Sequence, residues 1–172
     1  MILRHQTNHL NPKFYYFNFY LYIQIKSLYL CIMKATDSRY CNCVYFSSGA
    51  LARKIEKKAI EVWDSVKLSP SHGYLLLMVL DQPGIQPTAI VEELLLAPST
   101  ITRLIEKLEE KKLVRRATEG KITNVYPTAR AKAMRGQFLE CLDKFNESFS
   151  NILGKDESTR LVHAMNRITD KL

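Results

Sequence analysis

The spacing of apolar residues between Pro87 and Lys112 limits the fold more than any other feature of the sequence. Ile90 and Leu94 fall on one face of a short predicted helix, and Leu96-Ala97-Pro98 then makes a tight turn. A second helix is predicted from Ser99 to Lys112, with basic and hydroxyl side chains outside its apolar face. Two short amphipathic helices joined in this way form a helix-turn-helix.

Helices are also predicted upstream of this pair. Helical spacing indicates one helix from Ser47 or Ser48 to Val66. Ser69 followed by Pro70 is a typical helix start, and the helix that follows is apolar on every side until the stop at residues 81–84. A helix that is apolar all round belongs at the centre of the core.

The downstream sequence predicts a hairpin and then two more helices. Leu113–Ala117 and Thr123–Pro127 are predicted as short strands, with Gly120 providing the positive φ of a tight turn. Beyond Thr128 the apolar spacing predicts a long amphipathic helix, interrupted at Gly154 and followed by a last helix. The outer helices carry more apolar surface than a small core can cover, so we expect part of it to form a twofold interface.

Positive charge is concentrated in one stretch of the chain. Between Ala97 and Arg135 there are ten Lys/Arg against four Glu, whereas residues 34–96 are neutral overall and 136–172 carry one net negative charge. A basic stripe on one helix and the next hairpin is typical of a phosphate-binding surface, the alternative being a solvated amphipathic helix. The sequence has no nucleophile–base–acid set, phosphate loop or metal cluster, so we expect neither an enzyme nor a cofactor.

These patterns predict a mainly α (α+β) fold, a winged helix-turn-helix DNA-binding domain with N- and C-terminal dimerisation helices. The predicted divisions are a doubtful N-terminal extension at 1–33, an N-terminal segment and dimerisation helix at 34–68, the winged helix-turn-helix at 69–127, and C-terminal dimerisation helices at 128–172. Four cysteines are too few and too irregularly spaced for a disulfide framework, which favours a reducing cytoplasm.

The first 33 residues differ in composition from the rest of the chain. The run from Phe14 to Ile23 is packed with aromatic residues and has no acidic residue. One interpretation is a weak signal anchor. The other is upstream sequence translated from a misassigned start, with Met33 as the native first residue. In the second case we expect the extension to be poorly ordered.

The stretch from Ile85 to Arg116 resembles the core signature of the MarR family of transcriptional regulators. Ile90 and Leu94 match the Leu-x-x-x-Leu of that family, the run 98–103 matches the start of its recognition helix, and the run 113–116 matches the entry to its wing. The resemblance implies a cytoplasmic homodimer that binds a pseudo-palindromic operator in double-stranded DNA. It implies no association with a membrane. It also implies a regulator, usually a repressor, that is released by a small-molecule or oxidant signal.

The chain departs from the family pattern at three places. Lys112 and Ala131 stand where the family usually has Gly, and the wing is shorter and lacks the Asp-x-Arg pairing. Without glycine, the helix must end differently or Lys112 must accept modest backbone strain.

The resemblance assigns the DNA contacts to the second helix of the pair and to the wing. Arg103 would donate two hydrogen bonds to a guanine, unless it merely pairs with Glu106 or Glu110. Three hydroxyl residues would donate or accept hydrogen bonds at phosphates or base edges: Ser99, Thr100 and Thr102. The remaining candidates are cations that would bind the phosphate backbone: Lys107, Lys111, Arg115, Arg116 and, at the wing tip, Lys121.

Two candidate signal sites are also implied. Cys41 and Cys43 are candidate redox sensors, because the peroxide-sensing subgroup carries a reactive Cys near the start of the first helix, and Cys141 is the candidate disulfide partner. The alternative is that these thiols are idle or buried. A small aromatic or anionic effector could bind a cleft lined by Trp63, His72 and Tyr74, whose alternative role is packing in the core.

A function of another class also fits the sequence. A winged helix can serve as a protein-interaction or membrane-tethered scaffold module without DNA binding, with the aromatic N-terminal run as the anchor. DNA binding that depends on salt and on Arg103 discriminates between the two hypotheses.

Overall fold

The computed structural model describes residues 34–120 and 122–172, so the hypotheses on the 1–33 extension and on Lys121 lie outside the described residues. The elements run in the order α1 (Val44–Trp63), α2 (Pro70–Asp81), α3 (Pro87–Leu94), α4 (Pro98–Glu110), β1 (Val114–Glu119), β2 (Ile122–Pro127), α5 (Ala129–Ala133), α6 (Arg135–Leu153) and α7 (Lys155–Thr169). Short 3-10 turns lie at Ala35–Asp37 and Asp64–Val66. The fold is a mainly α winged helix-turn-helix, as the sequence predicts.

Contacts divide the chain into two compact units, one that ends at Arg53 and one that spans Lys54–Leu172. The winged helix-turn-helix and the helices that follow it belong to the second unit. Within the described part of the chain, no helix is both long enough and apolar enough to cross a bilayer.

Helix α1 begins earlier than the sequence predicts. Its first residue is Val44, and the hydroxyls of Ser47 and Ser48 donate to the carbonyls of Cys41 and Tyr45. A serine that caps a helix accepts a hydrogen bond from a backbone N–H instead. The two serines therefore lie inside the first turns, and the prediction of a start at either of them was wrong.

Helix α2 is the centre of the second unit. Leu75, Leu76 and Val79 are fully buried, because α2 contacts α3, α4, α5, α6 and β2. This position explains why α2 is apolar on every side. The inward face of α4 completes the core beneath it with the buried side chains of Ile101, Leu104, Ile105 and Leu108.

The two strands form an antiparallel hairpin, which we call the wing (β1, β2 and their turn). Its register pairs Val114 with Pro127 and continues to the turn, where Gly120 has a φ of +61°. The positive φ confirms the role that the sequence predicts for this glycine. Ile85 forms an isolated bridge to Val125 on the edge of β2 that faces away from β1, so the link between α2 and α3 is extended at this point and lies beside the wing.

The C-terminal helices follow the predicted pattern with one addition. The chain breaks at Gly154, as predicted, but also at Met134, which ends α5 and begins α6. The short helix α5 starts at Thr128, whose hydroxyl accepts from the Ala131 N–H. Helices α6 and α7 then pack against each other.

Candidate nucleic-acid interface

The N-terminal turn of α4 presents hydroxyl groups to solvent. Pro98 occupies the first helical position, and Ser99, Thr100 and Thr102 are all exposed. The Thr102 hydroxyl donates to the Pro98 carbonyl at 3.0 Å, so its oxygen keeps lone pairs that can accept. The positive end of the helix dipole favours an anion, and this turn with its exposed hydroxyls can hold a phosphate.

Arg103 lies one turn further on and is exposed. Within the ranges 34–120 and 122–172, its guanidinium makes no ion pair or hydrogen bond, and Glu110 pairs instead with Lys107 at 2.7 Å. The alternative in which Arg103 is tied to Glu110 is therefore absent from this structure. Arg103 keeps its planar set of donors free for a base edge or a phosphate.

Two lysines near the C-terminal end of α4 already donate hydrogen bonds within the chain. The hydrogen bond from Lys107 to Glu110 raises the pKa of the Lys107 ammonium, which stays charged at neutral pH. Lys111 donates to the backbone carbonyl of Lys67 at 3.2 Å and keeps its net charge. Lys111 can therefore act on a phosphate at close range, whereas the charge of Lys107 is offset by its neighbour.

The two arginines of the wing, which have the same expected role in the sequence, have different partners in the structure. The guanidinium of Arg115 lies over the ring of Tyr126, 4.6 Å from its centroid. Arg116 instead forms an ion pair with Glu109 of α4, at 2.6 Å. Arg115 therefore keeps an unneutralised charge, and the charge of Arg116 is balanced.

The wing is joined to the core at the start of the extended link. The Gly84 N–H donates to the Val125 carbonyl at 2.8 Å, and the Val125 N–H donates to the Ile85 carbonyl at 3.0 Å. Gly84 has a φ of +92°, and a Cβ there would lie 3.1 Å from the Tyr126 ring. The close approach requires glycine, and it holds the base of the wing against the turn that precedes α3.

The C-terminal end of α4 is closed by side chains from the α5 region. Lys112 has a φ of +57°, so it adopts the left-handed conformation in place of the usual glycine. The Thr128 hydroxyl donates to the Lys112 carbonyl at 2.9 Å, and Arg130 donates to the Lys111 carbonyl at 3.2 Å. These bonds provide partners for the carbonyls of the two residues that follow α4.

The three residues assigned to an effector cleft have different surroundings. Trp63 is 1% exposed and stacks on Phe138, with ring centroids 6.4 Å apart, so it is a core residue. Tyr74 is 40% exposed and tilted against Trp63. His72 shares a hydrogen bond of 2.6 Å with the Ser69 hydroxyl. Burial, with a smaller effect from Lys111 and Lys107, lowers the pKa of His72, and its Nε2 is buried without a partner in the described chain.

The three candidate redox cysteines are all free thiols. Cys43 is exposed and Cys41 is partly buried, both in the first unit, whereas Cys141 is buried in the second. The Cys141 sulfur lies 3.5 Å from the Ser65 hydroxyl. Among the residues that the structure describes, His, Cys, Asp and Glu form no cluster suited to a metal ion.

An apolar hollow of about 440 Å³ opens between α6, α7 and the Ile55 turn of α1. Its walls include Phe145, Phe149 and Met165. Along α7, Val162 and Ile168 are each at least half exposed. Exposed apolar side chains on this scale form a hydrophobic patch, which is typical of an interaction surface.

The family comparison matches the part of the chain described above. Residues 67–121, which contain α2, α3, α4 and β1, match the sequence model of the MarR family. The winged helix of this chain is therefore similar to that of the MarR family. No curated protein matches the chain.

Solved MarR-type structures have the same fold. The repressor CouR bound to a 23-mer DNA duplex has a TM-score of 0.70 at 16% identity, covering 80% of this chain and 98% of that one. The S. aureus MepR–DNA complex scores 0.66 at 17% identity and covers 75% and 98%. The PcaV regulator from Streptomyces coelicolor, in complex with its natural ligand, scores 0.62 at 20% identity and covers 71% and 91%.

Sequence reasoning missed three residues that position the candidate site. Glu109 binds the wing, Tyr126 carries Arg115, and Arg130 closes α4. The register places Arg115 directly opposite Tyr126, so that pair follows from the sequence once the start of β2 at Ile122 is known. Neither Glu109 nor Arg130 has a comparable signal, because each contacts a separate element.

Proposed function

We propose that this chain is a sequence-specific, DNA-binding transcriptional regulator of the MarR type. In this function α4 enters the major groove and the wing lies along the neighbouring backbone. Support comes from the family match over residues 67–121 and from the exposed face of α4. The coarse function rests on the family, whose members are transcriptional regulators, and the details rest on the geometry of the residues.

The observation that carries the proposal is Arg103 on the outward face of α4, which has no ion-pair partner among the residues that the structure describes. Three exposed hydroxyl residues precede it on the same helix, and two of the cations that follow, Lys107 and Arg116, are paired with Glu110 and Glu109. An unpaired guanidinium can donate two bonds to guanine O6 and N7. We therefore assign base reading to Arg103, and phosphate contacts to Lys111, Arg115 and the N-terminal turn of α4.

A homodimer completes this function. The hollow beside α6 and α7 and the exposed apolar residues of α7 suit a second copy of the chain, which would cover them. Twofold symmetry would then present two copies of α4 to successive major grooves of a pseudo-palindromic operator.

The proposed signal is a ligand or an oxidant that releases DNA, with repression as the default state. CouR has been solved with p-coumaroyl-CoA and PcaV with its natural ligand, which supports a small aromatic or anionic effector. The partly exposed Tyr74 and His72 are the candidates that a ligand could reach, since Trp63 is buried. The oxidant variant uses Cys41 or Cys43 and requires that Cys41→Ser or Cys43→Ser block release by peroxide.

The test is DNA binding by the whole chain at several salt concentrations. The probe is the duplex that the purified protein selects from a random-sequence pool. Arg103→Ala should lower affinity for this duplex about 10- to 100-fold, the effect of one lost bidentate base contact, and relax selection at one position. Arg167→Ala, which removes the same charge from α7, is the control. An absence of selection at low salt, or equal effects of the two variants, would support a scaffold module instead.

A further inference from the structure

Glu109 makes two hydrogen bonds from α4 to the same residue of the wing. Its Oε1 accepts the backbone N–H of Arg116 at 2.8 Å, and its Oε2 accepts the guanidinium of Arg116 at 2.6 Å. The Glu109 side chain is 27% exposed and that of Arg116 is 38% exposed. The contact is therefore partly shielded from water, which strengthens a charged hydrogen bond.

The position of this contact allows it to fix the wing relative to α4. The edge of β2 that faces away from β1 is bridged to Ile85, whereas the edge of β1 that faces away from β2 lies toward α4. The Arg116 N–H is thus an edge-strand donor that Glu109 satisfies. Without Glu109, β1 would keep its pairing with β2 but lose this polar connection to α4.

The neighbouring ion pair on α4 provides a contrast. Glu110 binds Lys107 three residues away in the same helix, and both side chains are more than half exposed. A pair within one helix fixes no other element and contributes little to stability. Two adjacent glutamates of α4 therefore have different consequences, one local and one between elements.

We infer that Glu109 is a positioning residue that sets the angle between α4 and the wing, and that Arg116 is its partner in this contact rather than a phosphate ligand. The inference rests on the proposed function, since the angle matters only when both elements meet one duplex. Arg115, which Tyr126 holds, is then the phosphate-binding arginine of the wing.

The two glutamates give opposite predictions for DNA binding. Removal of a negative charge near DNA normally raises affinity, and Glu110→Ala should do so because it also frees Lys107. Glu109→Ala should instead lower affinity about tenfold, which is about 1.4 kcal/mol, because a displaced wing costs contacts. An affinity increase for Glu109→Ala would overturn the inference.

Salt dependence tests the role of Arg116 on the selected duplex. A phosphate ligand contributes about 0.9 to the slope of log affinity against log salt. Arg116→Ala should lower affinity with an unchanged slope, and the double variant with Glu109→Ala should be no worse than either single one. A slope that falls by about one for Arg116→Ala would show a phosphate contact and overturn the inference.

Hydrogen exchange without DNA separates this inference from the proposed function. Amides of β1 should exchange faster in Glu109→Ala and in the milder Glu109→Gln, while Glu110→Ala leaves them unchanged. Equal protection in all three variants overturns the positioning role even if the chain binds DNA. Faster exchange in a chain that selects no duplex would support the contact and refute the proposed function alone.

Discussion

The guanidinium of Arg115 lies directly across the hairpin from Tyr126, with its central carbon 4.6 Å from the ring centroid. The same ring packs against Gly84, so one tyrosine connects Arg115 to the turn before α3. A cation over an aromatic face at such a partly exposed site is worth about 0.5–1 kcal/mol. The aromatic ring, rather than the hydroxyl, is the stabilising part.

We therefore expect Tyr126→Leu to destabilise the fold and Tyr126→Phe to be nearly neutral. A double-mutant cycle with Arg115→Met, measured by urea unfolding, should give a coupling free energy of about 0.5–1 kcal/mol for the Leu variant. If Phe costs as much as Leu, the hydroxyl carries the effect and the cation–π explanation is wrong.

Lys112 offers a stabilising substitution. A non-glycine residue in the left-handed region is strained by roughly 1–2 kcal/mol, and the φ of Lys112 is +57°. Lys112→Gly should raise the free energy of unfolding by about 0.5–1 kcal/mol, since the entropy that glycine loses on folding offsets part of the gain. Lys112→Ala removes the same charge and keeps the strain, so it is the control and should not stabilise.

Two helical glycines provide a matched pair for alanine substitution. A Cβ on Gly73 would overlap the Trp63 ring, whereas a Cβ on Gly136 would meet no atom within 4 Å. Gly73→Ala should cost at least about 1–3 kcal/mol through overpacking. Gly136→Ala should stabilise by about 0.5 kcal/mol through helix propensity. Thermal unfolding decides the matter, and similar midpoints for both variants would contradict the tight fit at Trp63.

The half-buried His72 predicts a loss of stability on acidification. Its pKa is lowered in the folded chain by burial and by the nearby charges of Lys111 and Lys107. The unfolded chain therefore takes up a proton first, so stability is complete above about pH 6.5 and falls as the pH drops toward the lowered value.

His72→Gln should flatten this part of the stability curve, measured as the free energy of unfolding between pH 8 and the acid limb. Lys111→Ala should raise the pKa of His72 toward its usual value in an NMR titration, because it removes one repelling charge. A wild-type curve that is flat below pH 6.5 would contradict this reading of His72.

The apolar face of α7 predicts a homodimer. Charged substitutions on this face should weaken the dimer. Met165→Lys and Ile168→Lys place a cation on this face, and each should raise the dimer Kd at least tenfold, about 1.4 kcal/mol. Arg167→Glu changes charge on the opposite side of α7 and is the control. Sedimentation velocity that gives a monomer for the wild-type chain at micromolar concentration would refute the dimer.

Local signals in the sequence determined most of the elements. Ser69-Pro70 started α2, Gly120 turned the hairpin, and Gly154 separated the last two helices, because each residue type favours its conformation before any packing. The inward face of α4 followed from its period in the same way. The start of α1 and the break at Met134 did not follow, since no strong local signal marks either position.

Only the tertiary structure decided which charges of the site are free. The sequence places Arg103, Lys107, Arg115 and Arg116 in one basic stretch and does not indicate which of them pair with a carboxylate. Glu109 reaches Arg116 across a chain reversal, and Glu110 takes Lys107 rather than Arg103. The strength of an ion pair changes when the distance between its two side chains changes by a few ångströms. Packing of the folded elements sets that distance, and the order of residues alone does not give it.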